Sequence, residues 1–181
     1  MHLLTKIRTH KHWLPVILWM GLIFVMSSDF GSAAHTSVII EPLVLWIKPN
    51  ATSEEFELVH FIIRKLGHLS EYAILGLLVL HAIERTRPAH RAWSWPAASL
   101  TLLIAAAYAS TDEWHQTFVP GRTAALGDVM IDSCGALVGL MLMFLRQKLA
   151  NRGLFSKPMP RRSLDPSDQP KQLDASNSEV R

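Results

Sequence analysis

The chain has 181 residues, 49% of them hydrophobic and only 18% charged, against about 25% charged in an ordinary soluble domain. A net charge of +3 and a pI of 9.2 do not make it a nucleic-acid binder, because the basic residues flank apolar blocks instead of forming a patch interleaved with aromatics. The single cysteine, Cys134, excludes an intramolecular disulfide, and its place in an apolar block predicts a small core residue.

Four apolar blocks have about the 17–20 residues that a bilayer-spanning helix needs. The sequence therefore predicts an all-α integral membrane four-helix bundle. Residues 1–12 are a basic N-terminal segment with Lys6, Arg8 and Lys11. The first span covers about 13–30, with Pro15 near its start, where a missing N–H is tolerated. The basic start and Ser32-Ala33-Ala34 have the format of a cleaved signal peptide. The length of the block and the three spans that follow argue for a retained helix.

Residues 31–52 read as a loop broken by Gly31, Pro42 and Pro49, with 38–47 interfacial and not spanning. Thr52 and Glu55 have capping-box spacing, which marks a helix start. That helix can run on to Ile83, and at about 1.5 Å per residue it exceeds the hydrocarbon thickness. Its first third is then exposed or interfacial, and about 66–83 spans. A polar turn at 84–91 leads to a third span at about 93–110, with Trp93 and Trp95 at its start. Pro120-Gly121 signals a turn before the fourth span, about 127–145. Residues 149–181 form a polar tail with too few apolar groups to fold.

Lys and Arg give the orientation. Segments 1–12, 84–94 and 146–181 hold 14 of the 18, leaving Lys48, Arg64, Lys65 and Arg122 elsewhere. The positive-inside rule places both termini in the cytoplasm, so the polar ends of spans 2, 3 and 4 face outward.

Those ends carry the chemistry. Arg64, His68 and Glu71 share a face at i, i+4, i+7, with Tyr72 beside them; Lys65 adjoins. Tyr108, Asp112, His115 and Gln116 share another, provided the third helix continues that far, and Glu113 accompanies them. Asp128, Asp132, Gly135 and Gly139 share a third, whose two glycines allow a second helix to approach closely. Arg122 lies in the connection between the last two. Ionisable groups at membrane depth persist only where they face protein or water, and are functional candidates by default. A purely structural network of hydrogen bonds is the bland alternative, at about 0.6 kcal/mol per bond. His68 with Glu71 at i, i+3 is the best acid–base pair, since a carboxylate can fix an imidazole tautomer. His35, His60, His81 and His90 read as ordinary helix or loop residues, and the methionines as lipid-facing or packing groups. Asp112 with His115, and His68 with Glu71, include metal-ligand types. The paired Glu-x-x-His units of carboxylate-bridged bundles run in a different order, and no His-Glu-x-x-His is present, so no metal or cofactor is assigned.

Lys65, His68, Tyr72 and Leu75-Gly76, then Asp112-Glu113-x-His115-Gln116-x-Phe118-x-Pro120-Gly121-Arg122, then Asp128, Asp132, Gly135 and Gly139, resemble the motifs of the VanZ-like membrane proteins of bacteria. The resemblance covers roughly 13–148. It implies a small multi-pass protein of the bacterial cytoplasmic membrane, in a family named for a protein linked to teicoplanin resistance. Family members carry Asp or Asn at the place of Asp132.

Three functions are open. The first is an enzyme acting on a lipid or lipid-linked envelope substrate at the outer leaflet. His68, Glu71, Asp112 and Glu113 are its candidate catalytic residues, and Arg64, Lys65, Tyr72, His115, Gln116, Arg122, Asp128 and Asp132 its candidate binding residues. The second is a non-catalytic binder of a lipid headgroup or amphiphilic antibiotic, or a structural envelope protein. The third, a proton-coupled carrier, ranks last because its acidic residues cluster at one end. Membrane lipids are the expected partners.

Overall fold

A computed structural model describes residues 11–28, 33–86, 93–120, 122 and 124–152. The basic residues Lys6 and Arg8, the small-residue stretch at Gly31 and Ser32, the turn at 87–92, Gly121 and the tail from 153 lie outside the described residues. Among the described residues the structure is all-helical. The helices are α1 (Leu14–Ser27), α2 (Ala33–Ile47), α3 (Ser53–Thr86), α4 (Trp95–Gln116) and α5 (Leu126–Asn151).

Helix α2 is a correction: residues 31–52 were expected to form a loop. From Val38 to Ile47 its sequence is apolar apart from Glu41, so a helix that satisfies its own backbone is the economical form beside lipid. Pro42 sits inside it and removes one backbone donor. Val38, Ile39, Trp46 and Ile47 are exposed while Ile40 is buried, which fits a helix lying along a surface.

Helix α3 organises the rest. Its start is a reciprocal capping box: Thr52 N–H donates to Glu55 Oε2 at 3.1 Å, and Glu55 N–H to Thr52 Oγ1 at 3.4 Å. Lys48 pairs with the same carboxylate and, with the Thr52 N–H, holds Glu55 below its ordinary pKa. The helix continues unbroken for 34 residues, about 50 Å at 1.5 Å per residue. Leu58, Phe61 and Ile62 in its first third are exposed. From His68 onward it buries one stripe, Tyr72, Leu75, Val79 and Ile83, against its neighbours.

Its closest partner is α5. A methyl group at Gly135 or Gly139 would overlap the carbonyl oxygens of Leu69 and Ala73, and one at Gly76 would sit 3.0 Å from the Ala136 carbonyl oxygen. The two backbones are in contact, which is the close approach the small residues permit. Helix α4 presents Ala97, Thr101, Ala105 and Ala109, all buried, and lies against both α3 and α5. Helix α1 packs on α3 and α4 through Val16 and Ile23 and two interhelical hydrogen bonds. Trp19 Nε1 donates to the Glu71 carbonyl oxygen at 2.9 Å, and Tyr108 Oη to that of Met20 at 2.5 Å.

Two helices, α3 and α5, are long and apolar enough to cross a membrane. Of the other two expected spans, α1 is only 14 residues long, about 21 Å. Helix α4 has 22 residues but ends in Asp112, Glu113 and Gln116. The distribution of side chains is inverted relative to a water-soluble domain: Ile17, Leu103, Met130 and Leu142 are over half exposed, while Asp112, Glu113, Asp128 and Asp132 are buried. Together with the membrane-capable helices this marks a membrane protein. Cys134 is exposed, not a core residue. It stands two positions, about 200°, past Asp132 on a 3.6-residue helix, so the inward arc belongs to Asp132, Gly135 and Gly139.

Candidate functional site

The buried polar groups gather where α1 and α4 finish, beside the middle of α3 and the start of α5. Helix α4 does continue through Gln116, so its last turn carries Asp112, Glu113 and Gln116 inward.

Three hydrogen-bonded units stand side by side. In the first, Ser27 Oγ donates to Asp112 Oδ2 at 2.6 Å, and Gln116 Nε2 to the same oxygen at 3.2 Å. In the second, His68 Nδ1 lies 3.2 Å from Asp132 Oδ1. In the third, the Lys65 ammonium pairs with Asp128. Glu113 Oε2 accepts from the Ala125 N–H at 2.9 Å, which fixes the chain just before α5. Each contact joins residues from different helices or from a helix and a loop, except the Gln116–Asp112 bond within α4. Asp128 also occupies the first turn of α5, where the helix dipole favours an anion.

In front of these units lies a cavity of about 610 Å³. Its lining mixes the polar residues Ser27, Glu57, His60, Arg64, His68, Glu71 and Arg122 with the apolar residues Ile40, Phe56, Phe61 and Ile63. Arg122 Nη2 donates to the carbonyl oxygens of Met26 at 2.8 Å and Ser28 at 3.3 Å, closing the open end of α1. Burial and the neighbouring Arg64 cation pull its pKa down from the ordinary guanidinium value. Its Nε is buried without a partner among the described residues.

Of the twelve candidate residues, four therefore face the cavity: Arg64, His68, Glu71 and Arg122. Lys65, Asp112, Glu113, Gln116, Asp128 and Asp132 stand in the wall or behind it. Tyr72 is wholly buried among core residues, with its ring 6.2 Å from that of Tyr108. His115 stacks on Phe24 at 4.1 Å away from the cavity. The expected His68–Glu71 pair is not formed; Asp132 takes the imidazole instead. An i, i+3 spacing brings side chains near one another, but the inward face of α5 brings a carboxylate closer. Asp112 and His115 likewise do not converge. Ser27 was not singled out by its sequence; its one signal was a position at the C-terminal end of the first apolar block.

Three atoms, one each from His68, Glu113 and Asp132, lie within 4.8 Å of one another. Asp132 Oδ2, Glu113 Oε1 and Asp112 Oδ1 are buried without a partner among the described residues. Charge, donors and apolar lining thus meet in one place.

No curated protein and no solved structure matches the chain. A family model described as VanZ/LLP1 matches residues 12–147, a stretch that takes in α1 to α4, most of α5 and every residue of the site. With its motif residues gathered in one region of a helical membrane protein, the chain belongs to the VanZ/LLP1 family.

Proposed function

We propose that the chain is a multi-pass protein of the bacterial cytoplasmic membrane that acts as an enzyme on a lipid or lipid-linked envelope substrate, and so influences glycopeptide susceptibility. In this reading α1, α3, α4 and α5 cross as a four-helix bundle with both termini cytoplasmic, α2 lies in the outer interface, and the cavity opens outward. The Lys and Arg distribution supports the orientation.

The observation that carries the reading is one cavity that mixes cationic and apolar lining. Its apolar residues Ile40, Phe56, Phe61 and Ile63 suit an acyl or isoprenoid chain, and its Arg64 and Arg122 suit a phosphate or carboxylate headgroup. His68, held by Asp132, is the group placed to act on what is bound. A second reading, capture without turnover, draws on the fact that the carboxylates of Asp112, Asp128 and Asp132 stand behind the wall instead of facing the cavity.

Purified protein in liposomes containing an envelope-lipid extract tests the choice, with products followed by mass spectrometry. The enzyme reading expects a product whose rate falls about 100-fold or more in His68→Ala, the usual scale for a lost acid or base. Equal turnover in wild type and His68→Ala would reject the role of His68. Lipid that co-purifies unchanged would favour capture.

A further inference from the structure

Behind His68 the polar groups are not all satisfied. Glu113 uses Oε2 on the Ala125 N–H and Asp132 uses Oδ1 on His68. Glu113 Oε1 and Asp132 Oδ2 are buried with no partner among the described residues. Both side chains are almost fully buried, at 4% and 0% exposed, and His68 is 7% exposed. A buried carboxylate oxygen without a donor has lost its water and gained nothing in return. The nearby cations are engaged elsewhere: Lys65 pairs with Asp128, and Arg122 donates to the carbonyl oxygens of Met26 and Ser28.

We infer that His68, Glu113 and Asp132 are the ligands of one divalent first-row cation of the zinc or manganese class. An atom of each lies within 4.8 Å of the others, near enough for the three side chains to converge on one ion with bonds of about 2.0–2.2 Å. One imidazole nitrogen and two carboxylates form a borderline donor set; magnesium and calcium favour oxygen throughout. Two anionic ligands and a neutral imidazole balance a dication, which resolves the uncompensated charge. The ligands come from α3, α4 and α5, so the cation would tie together the three helices that build the polar site. Three protein ligands leave a coordination position for water or substrate, as catalytic and not structural sites do. His68 borders the cavity while Glu113 and Asp132 are not among its lining residues, so the cation would sit just behind the cavity wall. In the metal-bound state the His68–Asp132 hydrogen bond gives way to shared ligation; His68 then holds the cation instead of moving a proton, and a loss of turnover in His68→Ala would report a lost ligand.

The competing occupant is a proton shared between Glu113 and Asp132, which would satisfy the same two oxygens. The inference does not depend on what enters the cavity, and its test contains no lipid substrate. Full-length protein is purified in detergent through a tag without histidine, stripped with chelator, and loaded with Zn²⁺, Mn²⁺ or Co²⁺. Metal retained after desalting is measured by mass spectrometry, and Co²⁺ also by its visible absorption. The expected result is about one equivalent per chain and Co²⁺ bands of a low-symmetry nitrogen–oxygen site. Glu113→Gln and His68→Ala should each weaken retention by about tenfold or more. Cys134→Ser, on the exposed arc of the same helix, leaves the three ligands in place and should retain the full equivalent. Asp132→Glu keeps a donor and should shift the Co²⁺ bands instead of abolishing them, so a fold defect and a lost ligand are separable. Wild-type protein that holds none of the three metals, or Co²⁺ bands unaltered in His68→Ala and Glu113→Gln, would overturn the assignment in favour of the shared proton.

Discussion

Lys65 and Asp128 show how a single pair can decide stability here. Their side chains are 19% and 9% exposed, so the ammonium and carboxylate are largely out of solvent. Removing one partner of a buried pair leaves the other charge uncompensated and costs about 3 kcal/mol. Lys65→Met should destabilise the purified protein by that order in detergent unfolding, and adding Asp128→Leu should recover most of the loss. If the single and double variants unfold alike, the pair does not contribute as drawn. The signs of these groups were readable in the sequence, but not that Lys65 would meet Asp128 and no other carboxylate. The partner of His68 was not. Local spacing pointed to Glu71, and nothing in one sequence says that α5 brings Asp132 nearer. Cys134 fails for a related reason: an apolar block does not by itself reveal which of its arcs faces inward, whereas Gly135 and Gly139 do.

Helix α5 meets α3 backbone to backbone, and this register sets the polar site one or two turns away. The four inward residues Asp128, Asp132, Gly135 and Gly139 are all buried, as their i, i+4, i+7, i+11 spacing predicts. Gly139→Leu must separate the helices, because the obstacle is the Ala73 backbone and not a side chain that can turn aside. Overpacking of this kind costs about 1–3 kcal/mol. We expect the midpoint of thermal unfolding to fall, and the Lys65–Asp128 and His68–Asp132 contacts to loosen with it. By contrast Gly67→Ala, where the space is open, should be neutral or slightly stabilising through helix propensity. Equal effects at the two positions would show that the α3–α5 contact is looser than described. The start of α3 was legible from Thr52 and Glu55 alone because a capping box is a local device. Helix α2 was not, because Pro42 and the flanking glycine and proline carry loop signals that the surrounding apolar residues outweigh.

At the scale of the molecule, residues far apart in the chain share one region of one helical body. Ser27, His68, Asp112, Glu113, Arg122, Asp128 and Asp132 come from four helices and one loop. The apolar surface around them faces outward as lipid requires. The family and the helical class could be read from motifs and apolar blocks. The cavity could not, since it arises where α2, α3 and the end of α1 happen to leave space. The account depends on that cavity opening on the extracytoplasmic side. Cys134 is the chain's single cysteine, so Cys134→Ser gives a clean background for labelling spheroplasts with a membrane-impermeant maleimide. Arg64→Cys, in the cavity lining, should react in intact spheroplasts, and Arg85→Cys, at the other end of α3, only after permeabilisation. Reaction of Arg85→Cys in intact spheroplasts, with Arg64→Cys silent until they are opened, would contradict it.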